Sequence, residues 1–206
     1  MAFVLGLLDL LAYAIPGSLY LSVFVYASHR AGWIDAPSLL QVPSLLLLIA
    51  VAVAAFLAGQ ASYALGSWIN RINPFGSTDP SQEAKEEFLR RNPGAAQRRF
   101  LDVDPFTLLA ALEAADNEAA AEVSRLRATG LMLGRSVPSL VLGVVVALVE
   151  VFTGGLPLFA GLTGLALALV AVGCLYQAAT FGSWAIVRTY ELCFWDDDVE
   201  ARLSDG

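Results

Sequence analysis

The sequence predicts an all-α, polytopic membrane protein with four transmembrane helices in two hairpins and a small helical cytosolic insert. Hydrophobic residues make up 57% of the 206 residues and charged residues only 15%, which leaves too few polar side chains for the surface of an ordinary soluble domain. Four apolar runs are near or above the length of about 20 residues that a helix needs to cross a bilayer. They occupy residues ~3–27, ~43–66, ~131–152 and ~157–187.

The distribution of basic residues predicts the orientation. Of the 12 lysines and arginines, Arg30 alone lies between the first two apolar runs, and all the others lie on the opposite side. Because cytoplasmic loops retain such an excess, the middle segment and both termini are predicted to be cytosolic. The chain then divides into a first hairpin (1–71), a cytosolic helical insert (72–130), a second hairpin (131–190) and an acidic cytosolic tail (191–206).

The first hairpin carries a proline and several small residues. Pro16 lacks a backbone donor and clashes with the preceding turn, so the first span is expected to kink or break near Ile15. Gly17 follows it directly, and in the second span Ala55 and Gly59 are four residues apart, which lets a neighbouring backbone approach closely. These positions are predicted to serve helix packing or to act as a hinge.

Two helix starts are predicted in the insert. Asp79 as N-cap and Pro80 at the first helical position begin one helix, which should end at Asn92-Pro93-Gly94. Asp104-Pro105 repeats the start signal, and the apolar residues that follow recur at helical spacing opposite acidic ones. This pattern indicates an amphipathic helix whose apolar stripe must pack on a partner.

The second amphipathic helix is expected to continue into the third span as one rigid rod. No proline or turn cluster lies between Pro105 and Pro138. Gly130 and Gly134, at the point of entry, offer either a packing surface or a hinge, and packing is the more common role. The third span should end between Glu150 and Thr153, where residues 154–157 form a tight turn into the fourth span.

Polar residues inside the spans are the main candidates for function. Asp9 in the first span is expected to lie at a similar depth to Arg135 and Arg188 on the third and fourth. They predict either an ion or proton site lining a pore or a structural ion pair, and the structural role is more common.

Gln60 and Gln177 each lie about two turns from the cytosolic end of an even-numbered span. They could face each other across the bundle and either form interhelical hydrogen bonds or line a polar path. Glu150, near the outer end of the third span, is either part of such a path or simply reaches water.

A basic cluster interrupts the acidic insert. Arg90, Arg91, Arg98 and Arg99 flank the Asn92-Pro93-Gly94 turn. Contact with anionic lipid head groups is the default interpretation, at about 1 kcal/mol for each residue near the surface. The alternatives are pairing with the acidic helices and binding of an anionic signal.

Several functional classes are disfavoured. A net charge of -7 is unlike that of nucleic-acid-binding proteins, which need a basic surface. His29 is the only histidine and has no metal-ligating residue at suitable spacing, and neither Cys174 nor Cys193 is placed where a disulfide is expected. No catalytic residue, metal site or cofactor is predicted, and the chain is interpreted as a non-enzymatic protein.

Asp9 through Tyr13 to Pro16-Gly17, together with Gly59-Gln60-Ala61-Ser62, resembles a loose class of uncharacterised bacterial four-helix membrane proteins. Some members of this class are suspected antiphage effectors. The resemblance covers the first two helices, and it implies a membrane effector without a known activity, inserted in a bacterial cytoplasmic (inner) membrane. Members often carry His after the glycine, where this chain has Gln60.

Three functions remain open at this point. The first is an oligomeric pore, channel or membrane-disrupting effector, self-associated through small-residue faces and gated by movement of the rod. The second is a membrane adaptor that recruits a cytosolic partner protein through the acidic amphipathic helices. The third is an intramembrane enzyme acting on lipid near Asp9, Glu150 or Asp196.

Overall fold

The computed structural model describes residues 2–35, 43–70 and 80–196, with side chains described for all of these except 2–11, 63–70 and 80. The Asp9 side chain, the Asp79 cap and the tail from 197 onward lie outside this part. The described residues form α-helices and two short 3-10 helices, with no strand, so the predicted all-α class is confirmed. The helices are α1 (Ala2–Arg30), α2 (Ser44–Asn70), α3 (Pro80–Arg91), α4 (Pro105–Ala115), α5 (Asn117–Thr153) and α6 (Pro157–Trp195), and the 3-10 helices are Pro93–Ala95 and Arg99–Asp102.

Three helices are long and apolar enough to cross a membrane. Within the described side chains they are the Ser44–Ser62 part of α2, α5 and α6, which makes the chain compatible with a membrane-embedded protein. Helix α1 has 29 residues and continues through Pro16, so of the kink or break expected near Ile15, a break is absent.

Helix α5 is the central element. It packs against α1, α2, α4 and α6, whereas α2 and α6 make no extensive contact with each other within the described residues. With 37 and 39 residues, α5 and α6 are about 55 and 58 Å long at 1.5 Å per residue. Both exceed the ~30 Å hydrocarbon core of a bilayer, so one end of this antiparallel pair must extend beyond it.

Most helix ends lie where the proline and aspartate residues predicted them. Helix α3 ends at Arg91, directly before Asn92-Pro93. Helix α4 begins at Pro105, where Asp104 accepts a hydrogen bond from the Phe106 backbone N–H at 3.0 Å. The turn between α5 and α6 also lies where it was predicted, because α5 ends at Thr153 and α6 begins at Pro157.

The expectation of one rod from Pro105 is wrong. Asp116 leaves the helical conformation, with φ -135° and ψ 99°, and separates α4 from α5. Its side chain accepts hydrogen bonds from the backbone N–H groups of Glu118 (2.9 Å) and Ala119 (3.1 Å), so it caps a new helix. The rod therefore starts at Asn117, and α4 packs against α5 and α6.

The fully buried aromatic core lies at the end of the α5–α6 pair that is remote from its turn. Phe88, Phe100 and Leu108 are 0% exposed, and Tyr190 is 2% exposed. We call this region, made of α3, both 3-10 helices, α4 and the adjoining ends of α5 and α6, the helical module. Its core includes Val187, Tyr190 and Cys193 of α6, so the boundary drawn at residues 190 and 191 does not separate two structural units.

Candidate functional site

Helices α1 and α2 cross at a contact that only glycine allows. A Cβ atom on Gly17 would collide with the carbonyl oxygen of Ala55, and one on Gly59 would collide with the carbonyl oxygen of Tyr13. Pro16 is fully buried beside them. The small residues identified in the sequence thus form one packing surface, in which backbone approaches backbone as is typical of helices in lipid.

Helices α5 and α6 pack through a second set of small residues. A Cβ atom on Gly130 would lie 3.3 Å from the Ala178 carbonyl oxygen, and one on Gly134 would lie 3.6 Å from the Ala178 Cβ. Helix α5 is continuous through both glycines. Of the two roles considered for Gly130 and Gly134, the structure shows packing.

Arg135 is a charged residue buried between spans. It is 9% exposed, and its guanidinium carbon lies 4.6 Å from the ring centroid of Tyr13 on α1. A charge in the apolar part of a membrane helix is costly and marks a candidate functional position, and the aromatic face stabilises it by a cation–π interaction. The sequence did not show that Tyr13 is its neighbour.

Arg188 lies at a different level from Arg135, so the expectation of matching depth is wrong. Arg188 Nε donates to Glu122 at 3.1 Å, and Glu122 precedes Arg135 on α5 by about 13 residues, or about 20 Å. A second hydrogen bond joins Arg188 to Glu191 at 3.1 Å. Arg188 therefore belongs to the helical module and joins α5 to α6 there.

Gln60 and Gln177 lie close to the level of Arg135. Gly59, next to Gln60, contacts Tyr13, and Ala178, next to Gln177, contacts Gly134. We call Tyr13, Gln60, Arg135 and Gln177 the polar layer, since it includes one residue from each long helix. Both glutamines are exposed in the isolated chain, and their helices make no extensive contact with each other among the described residues.

Glu150 pairs with Arg30 at the opposite end of the spans. Arg30 Nε donates to Glu150 Oε1 at 2.7 Å, and the Glu150 side chain is only 15% exposed. The pair joins the C-terminal ends of α1 and α5, which run parallel. Glu150 is thus held in an ion pair with Arg30, a partner that neither of the two sequence interpretations had included.

The basic cluster is largely paired within the helical module. Arg90 and Arg91 both donate to Glu87, Arg91 at 2.9 Å, and Arg91 also lies 3.5 Å from Glu191. The hydrogen bonds, first from Arg90 and then from Arg91, hold the pKa of Glu87 below its ordinary value. Arg98 lies over the Phe194 ring at 5.8 Å, and Arg99 is exposed. Pairing with acidic helices, one of the two alternatives to lipid contact, is what the structure shows for Arg90 and Arg91.

The described residues offer no grouping of three or more His, Cys, Asp or Glu side chains that could hold a metal ion. Cys174 and Cys193 are free thiols. No protein-family model, no curated protein and no solved structure matches this chain. The polar layer and the helical module are therefore the basis for assigning a function.

Proposed function

We propose that this chain is a non-enzymatic integral membrane protein that forms an oligomeric pore, or disrupts the membrane, under control of its helical module. It crosses the bilayer four times, with both termini and the helical module in the cytosol. The length of α1, 29 residues, and its packing between α2 and α5 support its role as the remaining span. The concentration of basic residues on the module side supports the orientation.

The observation that carries this proposal is the outward exposure of both glutamines of the polar layer. A carboxamide exposed to hydrocarbon without a hydrogen-bond partner costs free energy. Since Gln60 and Gln177 do not meet within one chain, their partners are supplied by other copies or by water in a path between copies. Several copies arranged with these faces together would line such a path with amides.

Helix α5 is the route by which the helical module acts on the spans. Its N-terminal part belongs to the module, its middle carries Arg135, and its end carries Glu150. Among the described residues the extensive packing of α1 and α2 outside their own hairpin is against α5, so α5 is the main packed connection between the module and the first hairpin. A shift of α5 from Asn117 onward displaces the Tyr13 contact and opens the path.

Dye release from liposomes tests the pore. The purified full-length protein is reconstituted at increasing density, and wild type is compared with Gln60→Leu and Gln177→Leu. We expect release to rise more than linearly with protein density and to fall severalfold in both variants. Thr163→Val is the matched control, because Thr163 is exposed on α6 and its hydroxyl bonds only its own helix at Phe159. Equal release from wild type and both glutamine variants would contradict the proposal.

The adaptor function remains the second candidate, but its binding surface differs from the acidic amphipathic helices that the sequence predicted. The apolar stripe of α4 is occupied within the chain, because Leu108 and Leu112 are 0% and 1% exposed. What favours an adaptor is Trp195, which is 79% exposed at the far end of the module. Specific capture of one cytosolic protein by the full-length chain, abolished by Trp195→Ala, together with no dye release would favour this function.

A further inference from the structure

The α5–α6 pair can be used as a depth scale for the membrane. The Arg30–Glu150 pair provides a charged outer edge, and the exposed Trp33 lies just after the end of α1. The hydrocarbon core then extends about 30 Å along α5 from Glu150, and the head-group zone reaches about 35 to 38 Å. Contacts between α5 and α6 transfer this scale from one helix to the other.

Arg127 lies at the level of the inner head groups. It precedes Glu150 by roughly 23 residues, or about 35 Å, and Arg125 lies about 3 Å further. Trp184 on α6 is level with Arg127, since it lies between Phe181, which contacts Gly130, and Arg188, which contacts Glu122. Trp184 is 56% exposed, as is usual for tryptophan at a membrane interface.

An exposed aromatic residue of the module lies at the same level. Phe106, at the start of α4, is 59% exposed, and the Arg127 guanidinium carbon lies 4.1 Å from its ring centroid. Helix α4 therefore presents its N-terminal end, and not its far end, toward the spans. A guanidinium over an aromatic ring can still donate hydrogen bonds from its N–H groups, so Arg127 can bind a phosphate while it contacts Phe106.

Arg125 and Arg127 have no carboxylate partner among the described residues, whereas Arg90, Arg91 and Arg188 each pair with a glutamate. By contrast, Arg91 pairs with Glu191, which lies beyond Arg188 on α6 and therefore about 45 Å from the Glu150 level. That distance places Arg91 well outside the head-group zone. The lipid contact expected of the basic cluster thus suits Arg125 and Arg127 better than Arg90 or Arg91.

We infer that Arg125 and Arg127, which lie on different faces of α5, bind the anionic head groups of the inner leaflet, together with Phe106 beside Arg127 and Trp184 at the same level. The inference depends on the membrane placement in the proposed function, but it does not depend on pore formation. The two guanidinium groups donate to lipid phosphate, and the two aromatic side chains lie among the head groups and upper acyl chains. Because the surface lies on α5 and at the start of α4, anionic lipid bound there holds the module against the membrane.

Competition between two lipids tests this surface. Full-length protein in detergent is incubated with equal amounts of phosphatidylglycerol and phosphatidylcholine, and the ratio of bound lipids is measured by native mass spectrometry. Each arginine near the surface contributes about 1 kcal/mol, so we expect the ratio to fall about fivefold for each arginine removed in Arg125→Gln/Arg127→Gln. Arg125→Lys/Arg127→Lys should retain most of the preference, which separates loss of charge from loss of fold.

Arg90→Gln/Arg91→Gln is the matched control, since it removes the same charge from the far part of the module and should leave the ratio unchanged. An equal fall in both glutamine doubles, or no fall in either, would overturn the inference. The outcome is independent of dye release. If the wild-type protein releases no dye, and only the Arg125→Gln/Arg127→Gln variant loses the preference for phosphatidylglycerol, the proposed pore is overturned and this lipid-binding surface is supported.

Discussion

The helical module and the bundle of long helices that we propose as membrane spans are packed by opposite rules. In the module, large aromatic side chains point inward, and Phe88 is 0% exposed. In the spans, large apolar side chains point outward, and Phe159 is 70% exposed, while glycine and alanine make the contacts between helices. Water drives burial of apolar surface in the first region, whereas lipid offers no such drive and close backbone contact takes its place.

The two regions also treat charge differently. Charged side chains of the module pair at its surface, as Arg188 does with Glu122 and Glu191. The spans contain few ionisable groups, and Arg135 is placed against an aromatic ring. The same residue type therefore lies at the surface of one region and is buried in the other.

The largest expected effect separates the two kinds of phenylalanine. Phe88→Ala removes a ring that contacts Phe100, Tyr190 and Phe194, and it should destabilise the module by about 3 to 5 kcal/mol. Thermal unfolding of the full-length protein in detergent measures the change. Phe159→Ala deletes the same ring from an exposed position of α6 and should change the unfolding midpoint little. Similar losses of stability in both variants would show that the two regions are not packed differently.

A smaller effect is expected at the glycine contacts of the spans. Gly59→Leu forces a side chain into the Tyr13 backbone, and overpacking of this kind costs about 1 to 3 kcal/mol or more. Gly173→Leu is its control, because a Cβ atom at Gly173 has no neighbour within 4 Å. The same unfolding assay should show a loss for the first variant alone, and equal stability of the two would argue against close α1–α2 packing.

The cap between α4 and α5 should contribute less again. Asp116→Ala leaves two backbone N–H groups without their acceptor and should cost about 1 kcal/mol. Glu113→Ala, at an exposed position of α4, is the comparison. An Asp116→Ala variant as stable as wild type would mean that α4 and α5 can join into the single rod that the sequence pattern indicated.

The smallest effect concerns pH. Since the pKa of Glu87 is lower in the folded protein, its ion pairs stabilise the module above the unfolded pKa of about 4.5, and this contribution is lost as the pH falls through the folded pKa. Glu87→Gln should therefore be less stable than wild type at pH 7, with the difference shrinking below pH 4.5. Glu86→Gln removes an equal charge from the same helix as a control, and a difference that grew in acid would contradict the assignment.

Proline, aspartate and glycine residues made most helix ends predictable from the sequence. Proline and aspartate marked the starts at Pro80 and Pro105, and the Gly154-Gly155 turn marked the end of α5. Asp116 was missed because no proline or glycine accompanies it, and its capping geometry identifies the break. The depth of Arg188 could have been predicted from the sequence. In an antiparallel helix pair, residues equally distant from the connecting turn lie side by side, which places Arg188 opposite Glu122.

The polar layer could be predicted only in part. Its glutamines and Arg135 stood out as polar residues in apolar runs, whereas the Tyr13 contact depends on α1 lying parallel against α5, which no local pattern specifies. Likewise, the partner of Glu150 follows from the parallel ends of α1 and α5. Contacts between distant segments require the fold, and they decide whether a charge is paired or free.

Labelling from outside the cell tests the topology on which this account depends. In a Cys174→Ala/Cys193→Ala background, single cysteines are placed at Trp33 and at Arg90, and intact and permeabilised cells are treated with a membrane-impermeant maleimide. We predict that Trp33→Cys reacts in intact cells and that Arg90→Cys reacts only after permeabilisation. Reaction of Arg90→Cys in intact cells would place the helical module outside and contradict the account.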